Sequence, residues 1–135
     1  VIPEDPEAEE HIAGTCAASH CGAELAHERL SPADFYWPPA LRVFQTSVRP
    51  ELVRLEHDLR IRVLARLSDV DLAWLQRCVD DRPSFLDKAG ASAARVRSAA
   101  MRRQIMRLAA DLYERASTGD LDDLTLLVEE MAGAC

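Results

Sequence analysis

The chain has 135 residues, 48% of them apolar and 29% charged, and a formal net charge of −7. This is enough for one domain with its own core, and too acidic for non-specific adhesion to nucleic acid or an anionic membrane to be its main activity. No apolar run approaches the roughly 18 residues of a membrane span, and the acidic start lacks the basic-then-apolar pattern of a secretory signal, so a cytoplasmic protein is expected.

In chain order, Asp5-Pro6-Glu7 is a helix start, with an Asx N-cap, proline at the first position and acids near the positive end of the dipole. This predicts a helix to about Cys16, with Ala8, Ile12 and Cys16 on one face. A turn around His20-Cys21-Gly22 and a second helix over Ala23–Leu30 are expected next. Ser31-Pro32-Ala33-Asp34 then repeats the cap-proline-acid pattern for a short helical turn, and Pro38-Pro39 stops it and permits a helix to Thr46. Four of the seven aromatics, Phe35, Tyr36, Trp37 and Phe44, fall in this stretch, which marks it as the anchor of the core.

Arg49-Pro50-Glu51 opens a further helix, whose Leu52, Leu55, Leu59 and Val63 recur at helical spacing with charges on the other faces. Ser68-Asp69-Val70-Asp71 caps the next, with Leu72, Leu75, Cys78 and Val79 as its buried side, and residues 80–84 read as a loop. From Ala91 to Ala116 no breaker occurs, so one helix about 38 Å long is predicted. Val96, Met101, Ile105, Leu108, Leu112 and Tyr113 supply its apolar side. Gly119 ends it, and Leu121, Leu124, Leu127, Val128 and Met131 form the stripe of a last helix, giving an αα-hairpin. No segment alternates with period two. The fold class is therefore all-α: a compact multi-helix head over about residues 1–88, then a C-terminal helical hairpin over about 91–131, in a single domain 1–135.

Asp34-Phe35-Tyr36, with Val43-Phe44 eight residues after Phe35, resembles a signature of the N-terminal domain of the bacterial replicative helicase DnaB family. Pro3 ahead of Glu7-Ala8-Glu9 and Gly14 is similar to that family's opening, and Ala91–Ala116, with Val96-Arg97, Ala100 and Arg103, to its long arginine-bearing helix. The chain departs from the pattern at Ala40, where the family has histidine, and at Ala13. It also departs at Leu72-Ala73-Trp74-Leu75, near the place of a Gly-Gly-x-x-Tyr-Leu element. The resemblance implies a protein-interaction and oligomerisation domain with a role in DNA replication, through self-association of hairpins and contact with primase. It also implies that Phe35, Tyr36 and Phe44 hold the head together.

The five glycines and the lone Lys88 do not form the Gly-x-x-x-x-Gly-Lys-Ser/Thr loop that cradles ATP phosphates, so no motor and no enzyme are expected in this chain. His11, Cys16, His20, Cys21 and His27 are zinc-ligand types, yet their spacing fits no Cys/His pattern; no metal and no cofactor are assigned. The four cysteines, Cys16, Cys21, Cys78 and Cys135, are read as free thiols. Cys21, His27 and Asp34 could supply a nucleophile, base and acid, but no glycine elbow or oxyanion loop orients them, and no catalytic residue is assigned.

Arginine outnumbers lysine fifteen to one, which is attributed to genome composition. Arg95, Arg97, Arg102, Arg103 and Arg107 make a local basic stretch, the basis for an alternative reading as a helical DNA-binding regulator. The acidic remainder and the lack of interleaved aromatics weigh against direct nucleic-acid contact. A stand-alone homologue with an unrelated partner is the other alternative. In the leading reading two hairpins pair in an isologous four-helix arrangement. Met101, Ile105, Leu108, Leu124, Val128 and Met131 form the seam, and Arg102 and Arg103 set its register.

Overall fold

Asp5 caps the first helix as expected: its carboxylate accepts the Ala8 N–H at 3.2 Å, and Pro6 stands in the first turn. In the computed structural model, which describes residues 2–82, 86–119 and 121–134, this helix, α1, runs Pro6–Ala18. The side chains of residues 86–89, 121–124, 127, 131 and 134 lie outside the description. The other helices are α2 (His20–Arg29), α3 (Pro38–Thr46), α4 (His57–Ser68), α5 (Leu72–Asp81), α6 (Leu86–Thr118) and α7 (Leu121–Ala134). Short 3₁₀ turns occupy Pro32–Asp34 and Pro50–Leu52, and no strand occurs among the described residues. The molecule is all-α, and no described helix is long and apolar enough to cross a membrane.

The centre of the head is α1. It packs against α2, α3, α4, α5 and α6, and every residue from Ile12 to Ala17 is buried, together with Ala8 and Glu9. A single buried face was expected; the small side chains of Ala13, Gly14, Thr15, Cys16 and Ala17 instead let neighbours approach from several sides. At Gly14 the approach is closest. A Cβ there would overlap the Cys78 carbonyl oxygen and lie 2.9 Å from Val79 N, so α5 crosses α1 backbone against backbone.

The expected turn at residues 20–22 lies one residue earlier. Ser19 caps α2 by accepting the Gly22 N–H at 3.0 Å, so His20, Cys21 and Gly22 are already helical. The turn at Pro32–Asp34 closes as a capping box, with Ser31 N–H donating to Asp34 Oδ2 at 2.8 Å.

The segment after Pro50 also differs from expectation. Pro50–Leu52 is only a 3₁₀ turn, α4 starts at His57, and its buried face is Arg60, Ile61, Leu64, Ala65 and Ser68, with Leu59 left 43% exposed. The cause is Arg60, a residue only 2% exposed. It donates from Nη2 to Cys16 O (2.8 Å) and Ser47 O (2.9 Å) and from Nη1 to Leu52 O (3.2 Å). Those carbonyls lie in the last turn of α1, at the C-cap of α3 and at the end of the 3₁₀ turn, where helix dipoles are negative. Leu52 O also accepts the Leu55 N–H at 3.3 Å, whereas Cys16 O and Ser47 O stand at helix ends that leave carbonyls without an intrahelical donor. One buried cation closes three helix ends, and α4 takes the phase that delivers it.

Asp71 caps α5 through the Ala73 N–H at 2.9 Å, and Leu75, Cys78 and Val79 are buried as expected, while Leu72 faces out. The expected loop over residues 80–84 begins later, since α5 reaches Asp81; residues 83–84 lie outside the described ones. α6 is longer than the expected 91–116 at both ends. Its Ala93, Val96 and Ala99 are buried, and it packs on α1, α2 and the Pro32–Asp34 turn. The first part of the long helix therefore packs on the head. Gly119, at φ 81°, ends α6 with its N–H on Arg115 O at 3.1 Å, and α7 packs back against α6.

Candidate interaction surface

Two arginines fasten the head-facing side of α6. Arg95 grips Asp5 with both Nε and Nη2 at 2.7 Å and reaches Glu7 at 3.4 Å. The Arg95 hydrogen bonds hold the Asp5 carboxyl below its ordinary value, against the opposing effect of partial burial. Two turns on, Arg103 donates to Pro3 O and Asp34 O, each at 3.0 Å, with its guanidinium 5.2 Å from the centre of the Tyr36 ring.

Arg103, expected in the pairing seam, thus ties α6 to its own head. Arg102, one residue back, is exposed.

On an α-helix Met101, Ile105, Leu108 and Leu112 share the side opposite Val96 and Arg103. Met101 is 42% exposed and Ile105 39%, whereas Leu108, at 6%, is already buried within the chain and is not free to meet a partner. On α7, Val128 is 53% exposed; the side chains of Leu124 and Met131 lie outside the described residues. The structure adds Met106 and Leu126, 49% and 57% exposed, which the single-stripe reading left out. Met106 follows Ile105 in sequence and so lies about 100° round the helix from it, outside that stripe. The hairpin therefore carries several large apolar side chains in contact with water, beside the exposed Arg102.

Of the signature aromatics, Phe44 is fully buried and Phe35 nearly so, with ring centres 4.7 Å apart. His27 stacks on Phe44 at 3.8 Å and donates from Nε2 to the Phe44 carbonyl at 2.6 Å. Tyr36 is not in the core. Its ring is 36% exposed, under Arg103 and edge-on to Trp37, because it follows the 3₁₀ turn on the surface side of the chain.

Behind it the buried Glu9 carboxylate accepts the N–H groups of Tyr36 (3.1 Å) and Trp37 (3.0 Å). Burial raises the Glu9 pKa above 4.5 despite these bonds. Because the folded value lies above the unfolded one, Glu9 favours folding most below pH 4.5, and that contribution is lost as pH rises through the folded value. Glu9→Gln should therefore gain stability relative to the parent chain between about pH 4 and about pH 7 in urea unfolding. A constant difference between the two proteins would contradict this.

The Cys/His group does not converge. His11 Nδ1 meets Ser92 Oγ at 3.2 Å, His20 pairs with Glu24 at 3.3 Å, His27 is spent on Phe44, Cys16 is buried and Cys21 exposed. Burial pushes both the Cys16 and Cys78 thiols up to about 12. Cys16, Cys21 and Cys78 are free; Cys135 lies outside the described residues. Of the basic stretch, Arg95 and Arg103 are engaged within the chain, and Arg97, Arg102 and Arg107 carry no ion pair among the described residues.

No protein-family model and no curated protein sequence matches the chain. Among solved structures it is similar to the N-terminal domain of DnaB helicase from Mycobacterium tuberculosis. That match has a TM-score of 0.75 and 20% identity, over 100% of both chains. The fold expected from the Asp34-Phe35-Tyr36 signature is the fold observed.

Proposed function

We propose that this chain is a protein-interaction domain that self-associates through its hairpin, in the manner expected of a replicative-helicase N-terminal collar, and that it carries no catalytic role of its own. The observation behind this reading is the set of exposed apolar side chains, Met101, Ile105 and Met106 on α6, whose first part packs on the head, and Leu126 and Val128 on α7, which packs on α6. Apolar helix surface of this kind usually marks an interface, and two such hairpins can bury it in an isologous four-helix arrangement. The shared fold with the DnaB helicase domain supports the same reading. It extends it to a role in DNA replication, with primase as the partner to test after self-association.

The double substitution Met101→Asp and Ile105→Asp tests the surface. It leaves Ala93, Val96, Arg95 and Arg103 on the head side untouched, so the helical circular-dichroism signal should persist while the assembly falls to monomer. An assembly of unchanged mass would remove these residues from the interface. The DNA-binding alternative has less to work with, because two of its five arginines are held by the head.

A further inference from the structure

A cavity of about 240 Å³ opens between α1, the start of α3 and α5, lined by Pro6, Glu9, Glu10, Trp37, Pro39 and Trp74 among others. Trp37 is 38% exposed and Trp74 half-buried, so two indoles meet solvent in one concavity. Glu9 lies buried in its wall, and the exposed Glu10 carboxylate stands 3.5 Å from Trp74 Nε1 with no ion pair among the described residues. No arginine, lysine or histidine lines it.

We propose that this cavity is a binding site for an arginine side chain presented by a partner protein segment. A guanidinium is the group that matches both halves of the wall: its flat face stacks on an indole, and its edge donates to a carboxylate. An apolar side chain would cover Glu10 and take it from water with nothing in return, and an anion would meet two carboxylates and no cation. The volume suits one long side chain rather than a cofactor. Neither α6 nor α7 lines the cavity, so this inference stands or falls separately from the hairpin reading.

Trp37 and Trp74 are the two tryptophans of the chain, so its intrinsic tryptophan fluorescence reports this cavity. Titration with acetyl-Gly-Arg-Gly-amide should give a saturable change in emission, and the citrulline counterpart, of nearly equal size but uncharged, should bind at least about tenfold more weakly. Glu10→Gln, an exposed position, should weaken the arginine peptide by about threefold or more without moving the unfolding midpoint. An equal response to the citrulline peptide, no saturable change with arginine, or full affinity in Glu10→Gln would overturn the proposal.

Discussion

Replacement of Arg60 by methionine should destabilise the head by about 3 kcal/mol, despite the similar length and greater apolarity of the new side chain. Methionine removes the donor for the carbonyls of Cys16 and Ser47 inside a site that is 2% exposed, while Leu52 O keeps the Leu55 N–H. Each buried carbonyl left without a partner costs about 1–3 kcal/mol, while the recovered cost of burying the guanidinium offsets part of that sum. No carboxylate partners Arg60 among the described residues; the charge is held by the negative ends of helices, an arrangement that a single ammonium cannot reproduce at three places. Arg60→Lys should therefore fall between the parent chain and Arg60→Met. The check is the urea midpoint of the three proteins; a loss under about 1 kcal/mol for Arg60→Met would show that the carbonyls find other donors.

Gly14→Ala should be comparably damaging, at about 3 kcal/mol, although the same exchange in an exposed helix stabilises by about 1 kcal/mol through propensity. Here the added methyl would overlap the Cys78 carbonyl, which is backbone and cannot rotate away, so α1 and α5 must separate. Leu75, Cys78 and Val79 would lose their packing on α1 together. Thermal unfolding of the variant should show a clear fall in midpoint. An unchanged or raised midpoint would mean that the helix crossing is loose enough to absorb a methyl group.

These two residues also mark where sequence reading stops. Cap signals act within four residues, and Asp5, the Ser31–Asp34 box, Asp71 and Gly119 were all legible for that reason. Arg60 was not, because an arginine on an amphipathic helix among fifteen arginines looks like a solvated charge until the helix ends that surround it are known. The central place of α1 was hidden in the same way. Its alanines, glycine and cysteine carry little hydrophobic signal, yet their small size is what allows five neighbouring helices. Conversely, the aromatic stretch overstated its part: Phe35 and Phe44 are core, whereas Tyr36 and Trp37 are at the surface.

The candidate surface was half legible. Helical spacing places Met101 and Ile105 on one row, and both are exposed; it places Leu108 there too, where the fold has already buried it. Spacing could not assign Arg103, because its partners, Pro3 O and Asp34 O, are 100 and 69 residues away in sequence. Attribution of the arginines to genome composition also missed their structural use. Arg42 donates to Ser68 O and Asp69 O at the end of α4, and His57 to Ala18 O at the end of α1, as Arg60 does for its three carbonyls. Side-chain N–H donors thus close several helix ends in the head.

Self-association of the hairpin is the claim on which the functional reading depends, and the solution mass by light scattering across protein concentration tests it most directly. A dimer, or an assembly of dimers, that falls to monomer in the Met101→Asp, Ile105→Asp variant is the result predicted. A monomer of 15.0 kDa at every concentration would contradict it, and would leave the exposed apolar residues of α6 and α7 to a different partner.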